Sequence, residues 1–225
     1  MIKAIVTDIE GTTSSLAFVK EVLFPYARKH IQQFVRENAS RGDIAKLLDD
    51  VRAEVGKPLD IEAVATQLVQ WIDEDKKVTP LKALQGLIWE AGYLNGDFQG
   101  HVYDDVVRKL REWHDSGIHL YVYSSGSVHS QKLLFSHTMH GDLTPLFSGF
   151  FDTHIGHKRD SASYATIHRQ LGLSPSEILF LSDVKEELDA ARDVGMRTCW
   201  LVRDGKVQKN AEHTQAASFD GIQLQ

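Results

Sequence analysis

The chain opens on a short apolar run rich in β-branched residues, Met1 to Thr7, which stops abruptly at Asp8-Ile9-Glu10-Gly11-Thr12-Thr13. Such a run predicts a strand that delivers carboxylates to its tip. After Thr13 the apolar positions adopt a helical period and keep it for about 80 residues. Val19, Val22, Leu23, Tyr26, Ile31, Phe34 and Val35 predict one helix bent at Pro25. Ile44, Leu47, Leu48, Val51 and Val55 predict a second, and Ile61, Val64, Ala65, Leu68, Val69 and Ile72 a third behind the N-cap Asp60. A fourth runs from Leu81 to Ala91 and stops at Gly92. No strand signal interrupts this block.

From about Gly100 helical and strand periods alternate, as in parallel α/β units. A helix from Tyr103 to Ser116 leads into the strand His119 to Tyr123, which stops at Ser124-Ser125-Gly126-Ser127. A helix from Val128 to Thr138, a strand over Gly149 to Thr153 and the loop Gly156-His157-Lys158 follow. Ser161 starts a helix that ends at Gly172. Ser174 and Glu177 have capping-box spacing ahead of the strand Ile178 to Ser182, which ends on Asp183. A helix from Glu186 to Val194 and a fifth strand, Arg197 to Val202, complete the pattern, and the tail from Asp204 is polar and uninformative. The expected fold class is α/β, a parallel sheet core formed by residues 1–14 and 100–225 with an α-helical cap, residues 15–99, inserted after the first strand. An insert at that point would stand over the acidic strand tip, where a lid is useful.

At 225 residues, 42% hydrophobic and 25% charged, the composition is that of an ordinary globular chain long enough to bury a sizeable core. A net charge of −6 with no Lys/Arg-rich run argues against nucleic acid and anionic membrane as partners. The single Cys199 excludes an internal disulfide and sits in an apolar run, as an inert buried thiol. The chain enters the first strand at once and contains no long apolar span, so it is expected in the cytoplasm, and nothing such as a heptad seam calls for more than a monomer.

Parallel strands bring their carboxyl ends to one edge, where open α/β sheets bind ligands. Three predicted tips carry Asp8 and Glu10, Ser124 and Ser125, and Asp183 with Glu187, and Lys158 lies on a loop between the last two. Asp8 and Glu10 alone also fit an ordinary solvated turn. Together, carboxylates without Cys or His partners suit hard Mg²⁺, and a phosphate would be met by the Ser124 hydroxyl, backbone N–H groups of the Gly-containing loop and the Lys158 ammonium. His137 with His140 and His154 with His157 have pair spacing but no third ligand, and read as structural or surface residues. Trp71, Trp89, Trp113 and Trp200 fall on apolar stripes or strands and read as core.

These four sites resemble the motifs of the haloacid-dehalogenase-like phosphohydrolases, with their Rossmann-type core. Within that superfamily the chain looks most like the enolase-phosphatases of methionine salvage, through Asp8-Ile9-Glu10-Gly11-Thr12-Thr13, Leu23-Phe24-Pro25-Tyr26, Val122-Tyr123-Ser124-Ser125-Gly126-Ser127, Gln131-Lys132-Leu133-Leu134-Phe135, Ile155-Gly156-His157-Lys158 and Leu179-Phe180-Leu181-Ser182-Asp183-Val184. Position 10 is Glu where the wider superfamily has Asp, a departure shared with this particular family. The resemblance implies a Mg²⁺-dependent enzyme for a small phosphorylated diketone, with Asp8 as nucleophile and Glu10 as acid/base. It also implies metal ligation by Asp8, Asp183 and the Glu10 backbone carbonyl, and phosphate binding by Ser124, Ser125 and Lys158. Glu187 would orient Lys158 or a metal-bound water. A sugar-phosphate phosphatase or phosphomutase, and a non-catalytic phosphate-binding module, are the alternatives on the same motifs.

Overall fold

The computed structural model describes residues 1–203, 205, 207 and 211–224. The chain divides into two compact units, one of residues 1–16 and 99–225 and one of residues 17–98. Among the described residues of the first, six strands form one sheet: β1 (Ala4–Thr7), β2 (His119–Tyr123), β3 (Gly149–Phe151), β4 (Ile178–Ser182), β5 (Arg197–Leu201) and β6 (Thr214–Ala216). They lie in the order β3-β2-β1-β4-β5-β6, with every pairing parallel. β1 and β4 are buried along their whole length, which is why both read as unbroken apolar runs rather than alternating ones. The strand order reverses at β1, so the crevice beyond its carboxyl end is the topological switch point.

The chain passes into the helical unit within α1 (Leu16–Phe18), and that unit continues with a π-helical turn (Val19–Leu23), α2 (Phe24–Asn38), α3 (Gly42–Val55), α4 (Ile61–Asp73) and α5 (Thr79–Asn95). Its own core holds Ile31, Val35, Leu48, Leu68, Trp71 and Leu84, all essentially inaccessible. Asp60 caps α4 as its position predicts, accepting from the Ala63 N–H at 2.8 Å. In the α/β unit, α6 (Asp104–Asp115), α7 (Val128–Ser136), α8 (Ser161–Leu171) and α9 (Lys185–Asp193) join the strands. Ala4 and Val6 of β1, Phe180 of β4 and Tyr123 of β2 share one sheet face with Tyr164, Ile167 and Leu188 of α8 and α9. Burial of a side chain the size of Phe180 stabilises by roughly 1.5–3 kcal/mol. No helix among the described residues is long and apolar enough to cross a membrane.

Three sequence expectations change. The bend expected at Pro25 is a widened turn just ahead of it, in which the Phe24 N–H reaches the Val19 carbonyl and the N–H that Pro25 lacks is not needed. β6 is a sixth strand where five were expected; Thr-Gln-Ala at a sheet edge carries no apolar alternation. It lies in the tail read as uninformative, of which residues 204, 206, 208–210 and 225 fall outside the described ones.

The third concerns Gly92, expected to stop its helix. α5 continues to Asn95, and Gly96, at φ 74°, caps it. Gly92 instead makes room: a Cβ there would lie 2.4 Å from Phe98 Cε1 and 2.9 Å from Tyr26 Cε1. Phe98 is pinned edge-on by Phe18, Tyr26 and Tyr93 and has little freedom to yield. A Gly to Ala change inside a helix ordinarily gains about 1 kcal/mol; here overpacking reverses the sign, and Gly92→Ala is expected to cost about 1–3 kcal/mol. Urea denaturation followed by tryptophan fluorescence checks this, and a raised midpoint would contradict it.

Candidate active site

The register places the strand tips side by side. Thr7 is level with Val122 of β2 and Leu181 of β4, so Ser124 and Asp183 stand one residue beyond the level of Asp8 on either side. The Asp8 N–H still bonds the Leu181 carbonyl at 2.9 Å, and the chain then turns sharply: the N–H groups of Thr12, Thr13 and Ser14 converge on the Ile9 carbonyl at 3.2, 2.9 and 2.8 Å. Gly11 adopts φ 75°, a conformation that costs other residues energy, and a Cβ on it would fall 2.1 Å from Asp183 Oδ2. The turn therefore packs directly against the acid of the neighbouring strand. Within it the Thr12 hydroxyl donates to Asp8 Oδ2 at 3.3 Å and the Thr7 and Thr13 hydroxyls hold the Asp8 carbonyl. Glu10 leaves the same turn with its side chain exposed.

Lys158 arrives from the loop between β3 and α8. Three hydroxyls fix that loop by its carbonyls: Tyr123 on Gly156 at 2.9 Å, Ser163 on His157 at 2.8 Å and Tyr164 on Lys158 at 2.6 Å. The ammonium lies 2.5 Å from Asp8 Oδ1 and 2.6 Å from Glu187 Oε2, with all three side chains close to 10% exposed. Burial disfavours the Lys158 charge, but Asp8 and Glu187 outweigh it and raise its pKa. Burial likewise raises that of Glu187, against the pull of Lys158. Glu187 also accepts from Ser182 Oγ at 2.9 Å. Removing one member of such a buried group strands another charge, at a typical cost of about 3–5 kcal/mol.

Asp183 is the site's unbalanced member. Its Oδ1 is buried with no hydrogen-bond partner among the described residues, and burial followed by the proximity of Asp8 pushes its carboxyl up to about 7. Three carboxylates thus face one ammonium. An electron-rich pocket of oxygen donors, one of them orphaned, is what a hard divalent cation fits. On the other flank Ser124 is buried and its Oγ accepts from the Gly126 N–H at 3.2 Å, leaving its own hydrogen for a ligand, whereas the Ser125 side chain is exposed.

Several contributors had no role assigned by the sequence, although Gln131 opens one of the motifs that carry the resemblance. Gln131, buried under the Ser124 loop, donates to the carbonyls of Gly126 and Phe151, both at 2.8 Å. Arg203, two residues past β5, donates to the Thr12 carbonyl at 2.8 Å. Asp189, Glu212 and His213 bring potential ligand atoms within 4.8 Å of one another. Lys185 and Arg192 already pair with both acids there, so the cluster reads as an ion-pair network. The histidine pairs split up: His137 reaches the Ser136 hydroxyl, His140 lies by Asp104 and His154 by Asp152. Trp71 and Trp113 are core, while Trp89 and Trp200 are partly buried and donate to the carbonyls of Leu23 and Asp183. Cys199 is buried, and burial pushes its thiol up to about 12.

The raised Asp183 pKa fixes a sign. In metal-free protein its contribution to stability is complete below about pH 4 and is lost as the pH rises through about 7. In the presence of chelator, Asp183→Asn is expected to raise the thermal midpoint by an amount that grows between pH 5 and pH 7 and then levels off. An equal shift at every pH would refute the assignment.

Comparison with known proteins gives the family. The family model of haloacid dehalogenase-like hydrolases matches residues 2–195. The chain is 62% identical over 223 residues to the enolase-phosphatase E1 of Methylococcus capsulatus, covering 99% of this chain and 98% of that protein. It is 58% identical over 222 residues to that of Thioalkalivibrio sulfidiphilus, at 99% of both. Among solved structures, the UTR4 protein of Saccharomyces cerevisiae superposes with a TM-score of 0.83 at 31% identity, over 99% of this chain and 100% of that one. The chain belongs to the haloacid dehalogenase-like hydrolases and, among them, to the enolase-phosphatase E1 family.

Proposed function

We propose that this chain is an enolase-phosphatase that converts 2,3-diketo-5-(methylthio)pentyl 1-phosphate into the acireductone 1,2-dihydroxy-3-keto-5-methylthiopentene and phosphate. The observation that carries the chemistry is the Asp8 carboxylate, held by Lys158 on one oxygen and Thr12 on the other, beside the unpartnered oxygen of Asp183. The substrate rests on the names of relatives more than half identical along the whole chain.

In this reading Asp8 attacks phosphorus, the bond from phosphorus to the substrate oxygen breaks, and the Glu10 carboxyl protonates that oxygen as it leaves. The product is an aspartyl phosphate on Asp8. Water, deprotonated by Glu10, then attacks phosphorus and returns Asp8 as a free carboxylate. Ser124 Oγ and the Ser125 N–H hold phosphoryl oxygens, and Lys158 offsets negative charge on the phosphate and on Asp8. Glu187 keeps the Lys158 ammonium in place. Asp8, Asp183 and the Glu10 carbonyl would hold Mg²⁺, which when bound offsets phosphoryl charge and polarises the diketone for enolisation.

Supplying the diketone phosphate with Mg²⁺ and following enediol absorbance and free phosphate together tests this: both should rise. Phosphate without enediol would reduce the reading to a plain phosphatase. Asp8→Asn is expected to lower phosphate release by orders of magnitude and to abolish the borohydride-trapped covalent adduct; release at the wild-type rate would refute Asp8 as nucleophile.

A further inference from the structure

The turn that carries Glu10 is bonded to a largely buried arginine. The Arg203 guanidinium uses Nε for the Thr12 carbonyl at 2.8 Å and spends its other two nitrogens on the two oxygens of Asp105, both at 3.2 Å. It lies 3.8 Å from the centre of the Tyr103 ring and 5.5 Å from that of Phe219, and its side chain is 10% exposed. Asp105 is fixed in turn at the start of α6, where Oδ2 accepts the Phe219 N–H at 2.7 Å. Burial works against the Asp105 charge, but the Phe219 N–H and Arg203 more than offset it and keep the carboxyl below its usual range. A planar guanidinium so enclosed has one available geometry, and only a forked cation satisfies carbonyl, carboxylate and ring together.

We infer that Arg203 is a positioning residue for the proposed reaction, setting the Asp8–Thr13 turn through its bond to the Thr12 carbonyl. The path is short. Thr12 uses its carbonyl for Arg203 and its hydroxyl for Asp8 Oδ2, so one residue links the buried cation to the nucleophile. Gly11, the preceding residue, is in contact range of Asp183, and Glu10 precedes that. Releasing the Thr12 carbonyl would let the turn relax at three points of the site at once. Asp105, from the first turn of α6, and Arg203, just past β5, thereby tie distant sequence to the reacting carboxylates.

This inference rests on the roles given to Asp8 and Glu10 above, and its test is separable from theirs. Arg203→Ala, Arg203→Lys and Asp105→Asn are compared with wild type on both the diketone phosphate and p-nitrophenyl phosphate, with activities expressed per folded molecule. For Arg203→Ala, kcat is expected to fall about 10–100-fold on both esters with KM changed by less than about 3-fold, as a misplaced turn requires. Added guanidinium should recover part of the loss, and Arg203→Lys should retain more activity than Arg203→Ala. Hydrogen exchange should accelerate in peptides covering residues 9–15 while the helical unit is unaffected. Unchanged kcat per folded molecule, or unchanged exchange in residues 9–15, would overturn the inference. A wild type that turns over p-nitrophenyl phosphate but not the diketone phosphate would refute the substrate assignment while leaving the Arg203 comparison intact.

Discussion

An ammonium group enclosed between two carboxylates holds only if the backbone delivers all three from separate stretches with little slack. Lys158 imposes that requirement on the α/β unit. Its partners come from the tip of β1 and from the first turn of α9, while it rides on the loop after β3. Charges this buried gain from one another only at hydrogen-bond range, so sub-ångström errors in loop placement would turn the group from favourable to costly. The tyrosines and the serine that grip the 156–158 carbonyls make sense as the means of meeting that tolerance.

The same triad leaves the site short of positive charge. Lys158 is committed to Asp8 and Glu187, and Asp183, pressed against the Gly11 turn, has no hydrogen-bond donor on its buried oxygen among the described residues. The protein thus keeps an electrostatic deficit in a fixed place, a strained arrangement of the kind found where a ligand completes the site. Ser124 on the opposite flank is prepared differently. Its oxygen is occupied by the Gly126 N–H and its hydrogen is left over, which suits an anion.

Much of this was legible because strand tips are where patterning and chemistry coincide. Apolar runs ending in Asp8, Ser124 and Asp183 announce both the strands and their chemical ends, and parallel order does the rest. Less visible were residues whose contribution is made through backbone groups. Gln131, Arg203 and Tyr164 act on carbonyls, which every residue possesses, so no residue type at the receiving end marks the contact. Gly92 misled for a related reason: a glycine that admits a neighbouring ring and a glycine that ends a helix look alike until Phe98 is placed against it. β6, Thr-Gln-Ala, lacks the apolar residues that marked the equally short edge strand β3, Gly-Phe-Phe.

The insertion between β1 and β2 has a kinetic side. Pairing Ala4 with His119 closes a loop of about 115 residues, the kind of long-range contact whose entropic cost slows folding. The intervening stretch is not a loose chain, because residues 17–98 are helices that bury a core of their own. Helices of that length form on microsecond timescales or faster from local contacts. An early-formed helical unit would shorten the segment that β1 must search across, so folding of the insertion first would offset part of the entropic cost that its own length imposes.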